Sequence, residues 1–167
     1  MNKEELIKQF DEKLQQLRDE FISNLEDDKK EFELTYPEED ETVYYIDSDE
    51  GEICDTPYFA NSSIDNYMYE HGLYFNLKDE AKHFLRERKL LFKLHQWAKL
   101  KNEGWEPDWS DYDEFKYYIK SYVEDKELWI NSSCRCNSFT KLPYFKSREI
   151  AQECIDLFGN EIIEVLC

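Results

Sequence analysis

Two stretches of this chain share one grammar, and that repetition constrains the fold more than any other feature. Residues 72–98 read GLYFNLKDEAKHFLRERKLLFKLHQWA. A short aromatic strand, Leu73-Tyr74-Phe75, runs directly into an amphipathic helix. There Ala81, Phe84, Leu91, Leu94 and Ala98 recur at helical spacing. Seventy residues later LPYFKSREIAQECIDLFG repeats the pattern. Tyr74-Phe75 correspond to Tyr144-Phe145, Asp79 to Glu149, Ala81 to Ala151, and Phe84-Leu85 to Cys154-Ile155. Asn61-Ser62-Ser63 corresponds to Asn131-Ser132-Ser133 at the same offset. Upstream, Tyr44-Tyr45-Ile46 corresponds to Tyr117-Tyr118-Ile119, with a connecting loop three residues shorter. The chain reads as a degenerate duplication of a strand–strand–strand–helix unit.

The expected fold class is therefore α+β. It consists of two related small antiparallel-sheet-plus-helix halves, residues 42–103 and 110–167, within one domain at 42–167. A coiled-coil-like acidic helix over residues 1–28 precedes it, followed by an acidic linker at 29–41. In the helix, Ile7, Phe10, Leu14, Leu17 and Phe21 form a three-four stripe that Leu6 and Leu25 widen, which suits self-association or docking. Pro37 and the acids around it argue against regular structure in the linker.

Within the first half, Thr42–Ile46 and Glu52–Thr56 read as strands about a turn at 47–51. Residues 57–71 read as an aromatic loop. A helix spans about Lys78 to Lys101 and ends before Gly104. It carries eight basic residues, and the simplest partner for them is the acidic N-terminal segment. In the second half Phe115–Val123 alternates, with Phe115, Tyr117, Ile119 and Val123 on one side and Lys116, Lys120 and Tyr122 on the other. Glu127–Asn131 is its partner strand and Leu142–Phe145 a third. Ser147 caps a final helix of about Arg148 to Leu157, which Gly159 ends.

Charge is the second constraint. Of 167 residues, 39 are acidic and 21 basic, for a net charge of −18. Residues 1–60 hold twenty acids against six bases, a net of −14, which leaves −4 for the remainder. Such a surface repels nucleic acid, whose binding requires cations that displace counterions. It attracts and steers basic partners. The sequence contains neither a membrane-length apolar run nor a signal-peptide core, so a cytosolic setting with reduced cysteines is expected.

Motifs that carry chemistry are weak. Asp47-Ser48-Asp49-Glu50-Gly51 starts like a calcium loop, but its glycine is one position early and its twelfth position is Tyr58. A hairpin turn fits better. Cys134-x-Cys136 departs from usual zinc spacing, whether Cys154, Cys167 or a histidine completes it. His83 and His95, twelve apart on one helix, are about 18 Å apart and cannot share a metal. Asp108, Asp111 and Asp113 beside Trp105 and Trp109 suit turn capping better than a metal or sugar subsite. None of the four glycines lies in a phosphate-cradling loop. The expectation is a protein without enzymatic activity, metal or cofactor.

YYIDSDEGE, YEHGLYFNLKDEAKHFL, GWEPDW, FKYYI and YFKSREIAQECIDLFGNEI together resemble small acidic accessory proteins encoded by phages and prophages of Gram-positive bacteria. The likeness covers roughly residues 42–165. It departs at Leu77, where the pattern has a threonine cap, and at Asp-Glu-Gly, where Asp-Gly is common. What the resemblance implies is an anti-defence role in the host bacterial cytoplasm. Carboxylates would imitate phosphate charge and occupy the basic groove of a nucleic-acid-handling defence protein, a CRISPR nuclease being the concrete case. The expected partner-binding residues are Glu38, Glu39, Asp40 and Glu41 of the linker and Asp47, Asp49, Glu50 and Glu52 of the turn. Tyr58, Tyr67, Tyr69, Trp105 and Trp109 are the expected aromatic anchors. The alternative is a self-assembling adaptor that binds a small molecule or another phage or host protein, its homodimer built on the N-terminal stripe.

Overall fold

The computed structural model describes residues 2–27, 34–122 and 126–167. It divides into two units, residues 1–36 and 37–167. The first holds helix α1 (Lys3–Asp27). The second runs β1 (Thr42–Ile46), β2 (Ile53–Pro57), α2 (Ser63–Glu70), β3 (Tyr74–Phe75), α3 (Lys78–Lys101), β4 (Lys116–Tyr122), β5 (Glu127–Ser133) and α4 (Arg148–Leu166). The fold is α+β. The side chain of Leu25, residues 28–33 of the expected helix end and linker, and Val123 lie outside the described residues.

Two small antiparallel sheets form. The first has the order β2-β1-β3 and the second is the β4-β5 hairpin. Each hairpin receives a short return segment in the same register. Tyr44 pairs with Phe75 in the first sheet. Tyr117 bridges Phe145 in the second, through backbone hydrogen bonds of 3.0 and 2.8 Å. The third strand expected at Leu142–Phe145 is thus reduced to one bridge, because Pro143 removes a backbone donor just ahead of it.

Helix α3 packs directly on the first sheet and reaches the second through α4 and through Phe145, whose ring lies 6.4 Å from that of Trp97. It touches all three strands of the first sheet and packs against α4. Phe84 meets Phe75 with ring centroids 5.1 Å apart. Leu90, Leu94 and Ala98 enter the main core with Ile119, Phe145, Ala151, Cys154 and Ile162. The apolar face therefore differs from the expected one: Leu90 is buried and Leu91 only half-buried, while Phe84 stays partly exposed. Burial in this core pushes the Cys154 thiol up to about 12.

Cap chemistry accounts for the helix starts. The Ser147 hydroxyl accepts from the Ile150 amide at 3.3 Å. Leu77 has no acceptor on its side chain, and the Glu80 carboxylate instead accepts from the Leu77 amide at 3.3 Å. Gly104 (φ +79°) follows α3 as expected. Gly159 does not end α4. It lies inside the helix, buried against Leu128, and the helix continues seven residues beyond it. A Cβ there would sit at ordinary contact distance, 3.5 Å, from the side-chain ends of Leu128 and Ile155.

Other expectations also change. Strand β2 begins and ends one residue later than read. The loop expected at 57–71 contains α2, capped by the Ser62 hydroxyl, which accepts from the Asp65 amide at 3.2 Å. In β4 the alternation is reversed at its start: Phe115 is exposed and Lys116 fully buried. The Lys116 ammonium donates to the carbonyls of Asp111 (2.7 Å) and Glu114 (2.9 Å), lies 3.4 Å from the Glu114 carboxylate, and sits over the Trp109 ring. A buried cation so supplied organises the 105–115 loop. The basic face of α3 is answered by α4: Arg86 pairs with Glu164, Lys93 with Glu161, and Lys101 with Glu153.

Asn102 joins the halves of the core. From the end of α3 it donates to the Tyr144 carbonyl (2.9 Å) and accepts from the Lys146 amide (3.1 Å), while itself buried. Asn102→Ala leaves both partners unsatisfied and should cost about 2–4 kcal/mol in urea unfolding. Arg86→Ala, which removes an exposed pair, should cost no more than about 1 kcal/mol. Equal losses would contradict this assignment.

Candidate functional site: an acidic hairpin

The first sheet is built from a stretch with no cation. From Leu34 to Leu77 there are eleven Asp and Glu residues and no Lys or Arg. The β1–β2 hairpin carries five of them, and four more directly precede it at residues 38–41. At its tip Asp47 is structural: its carboxylate accepts from the amides of Asp49 (2.8 Å) and Glu50 (3.0 Å), and its carbonyl accepts from Gly51. Gly51 takes φ +67°, which favours glycine. These amides, Glu50 first, hold the Asp47 carboxyl below the usual carboxylate range. Asp49, Glu50 and Glu52 project into solvent from the frame Asp47 makes.

The expected linker acids are not a free tether. Asp40 and Glu41 exchange backbone hydrogen bonds with Tyr58 and so extend the hairpin ladder. The Glu39 carboxylate accepts from the Ala60 amide at 2.7 Å, and that of Glu41 from the Glu38 amide at 2.8 Å. Asp40 adopts φ +63° to make this turn. The two acidic clusters thus lie at opposite ends of a five-residue strand, on the order of 15 Å apart. Asp55, exposed on the outer strand β2, lies between them. The result is a ribbon of charge along one edge. Among the described residues none of Asp49, Glu50, Glu52 or Asp55 is ion-paired, whereas Glu153, Glu161 and Glu164 of α4 are neutralised by α3.

Comparison with family models, curated proteins and solved structures finds no match. The site therefore rests on its own geometry.

The expected aromatic anchors divide. Tyr58 is a core residue at 1% exposure, its hydroxyl on Asn66 and its ring edge-on to Tyr69. Its phenol is pushed up by burial and neighbouring acids. It cannot serve as an anchor. Tyr69 is half-buried beside it. Tyr67 is exposed and stacks on His71 with centroids 3.9 Å apart. Trp105 and Trp109 come together in the second half, far along the chain from the hairpin, where they line a groove of about 530 Å³ with Tyr144, His95 and Lys99. Trp105 donates to Glu114 at 2.7 Å, and Trp109 packs edge-on against Tyr144. Asp108 and Asp111 tie local turns: Asp108 accepts from Ser110 and Asp111 from the amides of Asp113 and Glu114. The Ser110 donors hold the Asp108 carboxyl low. Among the described residues no group of three His, Cys, Asp or Glu converges as a metal site.

Two residues of interest lie outside the sequence expectation. Asp55 completes the ribbon and was legible only once β2 became an edge. Arg88 lines a cleft of about 540 Å³ beneath the hairpin turn, floored by Tyr45, Phe75 and Phe84.

Because the folded Asp47 carboxyl titrates below its unfolded value, the stabilisation it gives the turn is present above about pH 4. It is lost as pH falls through the lowered folded value. A low-pH NMR titration should show the Asp49 and Glu50 amides shifting together with that carboxyl. Asp47→Asn keeps an acceptor but no titration, and should abolish the shift. An unchanged titration at those amides would contradict the Asp47 frame.

Proposed function

We propose that this chain is a non-enzymatic inhibitor that binds a basic, nucleic-acid-handling partner, with a bacterial defence nuclease of the CRISPR type as the concrete case. The observation that carries this reading is the unneutralised carboxylate ribbon on a rigid two-stranded frame. Acid that served only solubility would have no need of a stretch from Leu34 to Leu77 free of Lys and Arg. Elsewhere in the chain acids and bases cancel across α3 and α4. On the hairpin, Asp49, Glu50, Glu52 and Asp55 remain free to meet the Arg and Lys that hold phosphates. Backbone hydrogen bonds fix the frame that carries them, so binding has only the side chains to order. The resemblance to phage accessory proteins supports the same reading, with a host bacterial cytoplasm as the proposed place of action. Among the described residues no helix is long and apolar enough to cross a membrane.

A second reading rests on α1. Ile7, Phe10, Leu14, Leu17 and Phe21 are each 52–65% exposed and lie along one face. A second copy of the chain covers such a stripe in a homodimer. As an adaptor, the protein would depend on residues 1–28 and not on the hairpin.

Extract from bacteria that carry CRISPR nucleases, passed over the immobilised chain, should yield proteins retained at low salt and released as salt rises. The variant with Asp49→Asn, Glu50→Gln, Glu52→Gln and Asp55→Asn should retain none of them. Full retention by that variant would sink the acidic-ribbon reading. In sedimentation, Leu14→Glu should convert dimer to monomer; an unchanged mass would remove the α1 dimer.

A further inference from the structure

Sheet edges are handled differently in the two halves. In the first sheet the outer strand β2 carries exposed Asp55 and ends at Pro57, which has no amide donor. Both features discourage a further strand. In the second sheet, among the described residues, β5 hydrogen-bonds to β4 alone. Its sequence, ELWINSS, has no proline and no lysine, and its one charge is at the first residue. About half the amides and carbonyls of this seven-residue strand point away from β4. Among the described residues no other backbone segment satisfies them, though the Asn131 side chain accepts from the Ser132 amide at 2.8 Å.

Beside this edge runs a groove whose second wall is α4. Two hollows of about 360 and 190 Å³ share Leu128 and Ile155. On the helix, residues 148, 152, 155, 159 and 163 form the lining stripe at helical spacing. Gly159, with no side chain, keeps the far hollow open. Leu128 and Ile130 point inward and pack on the core, yet both remain half-exposed on this side. The core is unfinished here. The groove is also polar in charge: Arg148, with no ion pair among the described residues, lies in the hollow that includes Ile130, and Asp156 in the one beyond Leu128.

We infer that the β5–α4 groove receives an extended segment of a partner protein as a third strand of this sheet. The partner's backbone completes the β5 ladder and alternate apolar side chains drop into the two hollows. An acidic residue at one end meets Arg148. A second copy of β5 does not fit this role, because its inward side chains, Leu128 and Ile130, already pack on its own α4. This surface is distinct from the acidic hairpin and does not depend on it.

A displayed library of random twelve-residue peptides, selected on the immobilised full chain, tests the inference. Selected peptides should show apolar residues at alternate positions with an acidic residue near one end. Bound as synthetic peptides, they should slow hydrogen exchange at alternate amides of residues 127–133. Arg148→Glu, at an exposed position, should weaken them by about tenfold. Gly159→Val, whose nearest neighbours at 3.5 Å are side-chain ends, should abolish binding by filling the hollow. Neutralising Asp49, Glu50, Glu52 and Asp55 should leave peptide affinity unchanged, which separates this surface from the hairpin. Recovery of no such pattern would overturn the inference. So would peptides that protect amides elsewhere, or β5 protection that rises with protein concentration alone and so reports pairing of two copies.

Discussion

The apolar face of α3 is the constraint on which the domain depends. Ala81 and Phe84 at its start hold the first sheet, and Leu90, Leu94 and Ala98 further along enter the core shared with α4, which itself covers β4 and β5. A two-stranded hairpin is marginal by itself, and a three-stranded sheet needs a covered face. Neither half could bury its apolar side alone. The α3–α4 contact joins them into one unit, with Asn102 fixing where α3 stops relative to the chain entering α4.

That packing also divides the charge. Helix α4 is antiparallel neighbour to α3, so its glutamates run alongside the lysines and arginine of the basic face. Each exposed pair adds little stability. Their larger consequence is electrostatic: the basic residues at 86, 93 and 101 are committed within the domain. Among the described residues the hairpin acids Asp49, Glu50, Glu52 and Asp55 have no such ion pair. A rigid carboxylate ribbon then combines with a net charge of −18 to give both long-range steering and fixed local geometry.

The features legible in the sequence were local ones. Thr42–Ile46 and Lys78–Lys101 follow from periodicity, and Ser147 announces a helix start through a hydroxyl that satisfies an amide three residues on. What was hidden depends on contacts between distant residues. Lys116 belongs outside by alternation, but carbonyls at 111 and 114 and the Trp109 ring make a site for its ammonium. Gly159 has the composition of a stop, yet α4 runs through it beside Leu128 of β5. The eight residues of α2 are too few to show a period. For the site, the acids themselves were visible, but not their arrangement: one strand separates the two clusters, Asp55 links them, and Tyr58 is consumed by the core.

We propose that the hairpin carboxylates occupy the surface a partner uses for nucleic acid. Competition on a partner complex decides it most directly. With a captured nuclease held by the wild-type chain, increasing duplex DNA should displace the protein, and raising the protein concentration should displace DNA in return, since the two share one surface. A stable ternary complex, with DNA and the protein bound together at undiminished affinity, would contradict it.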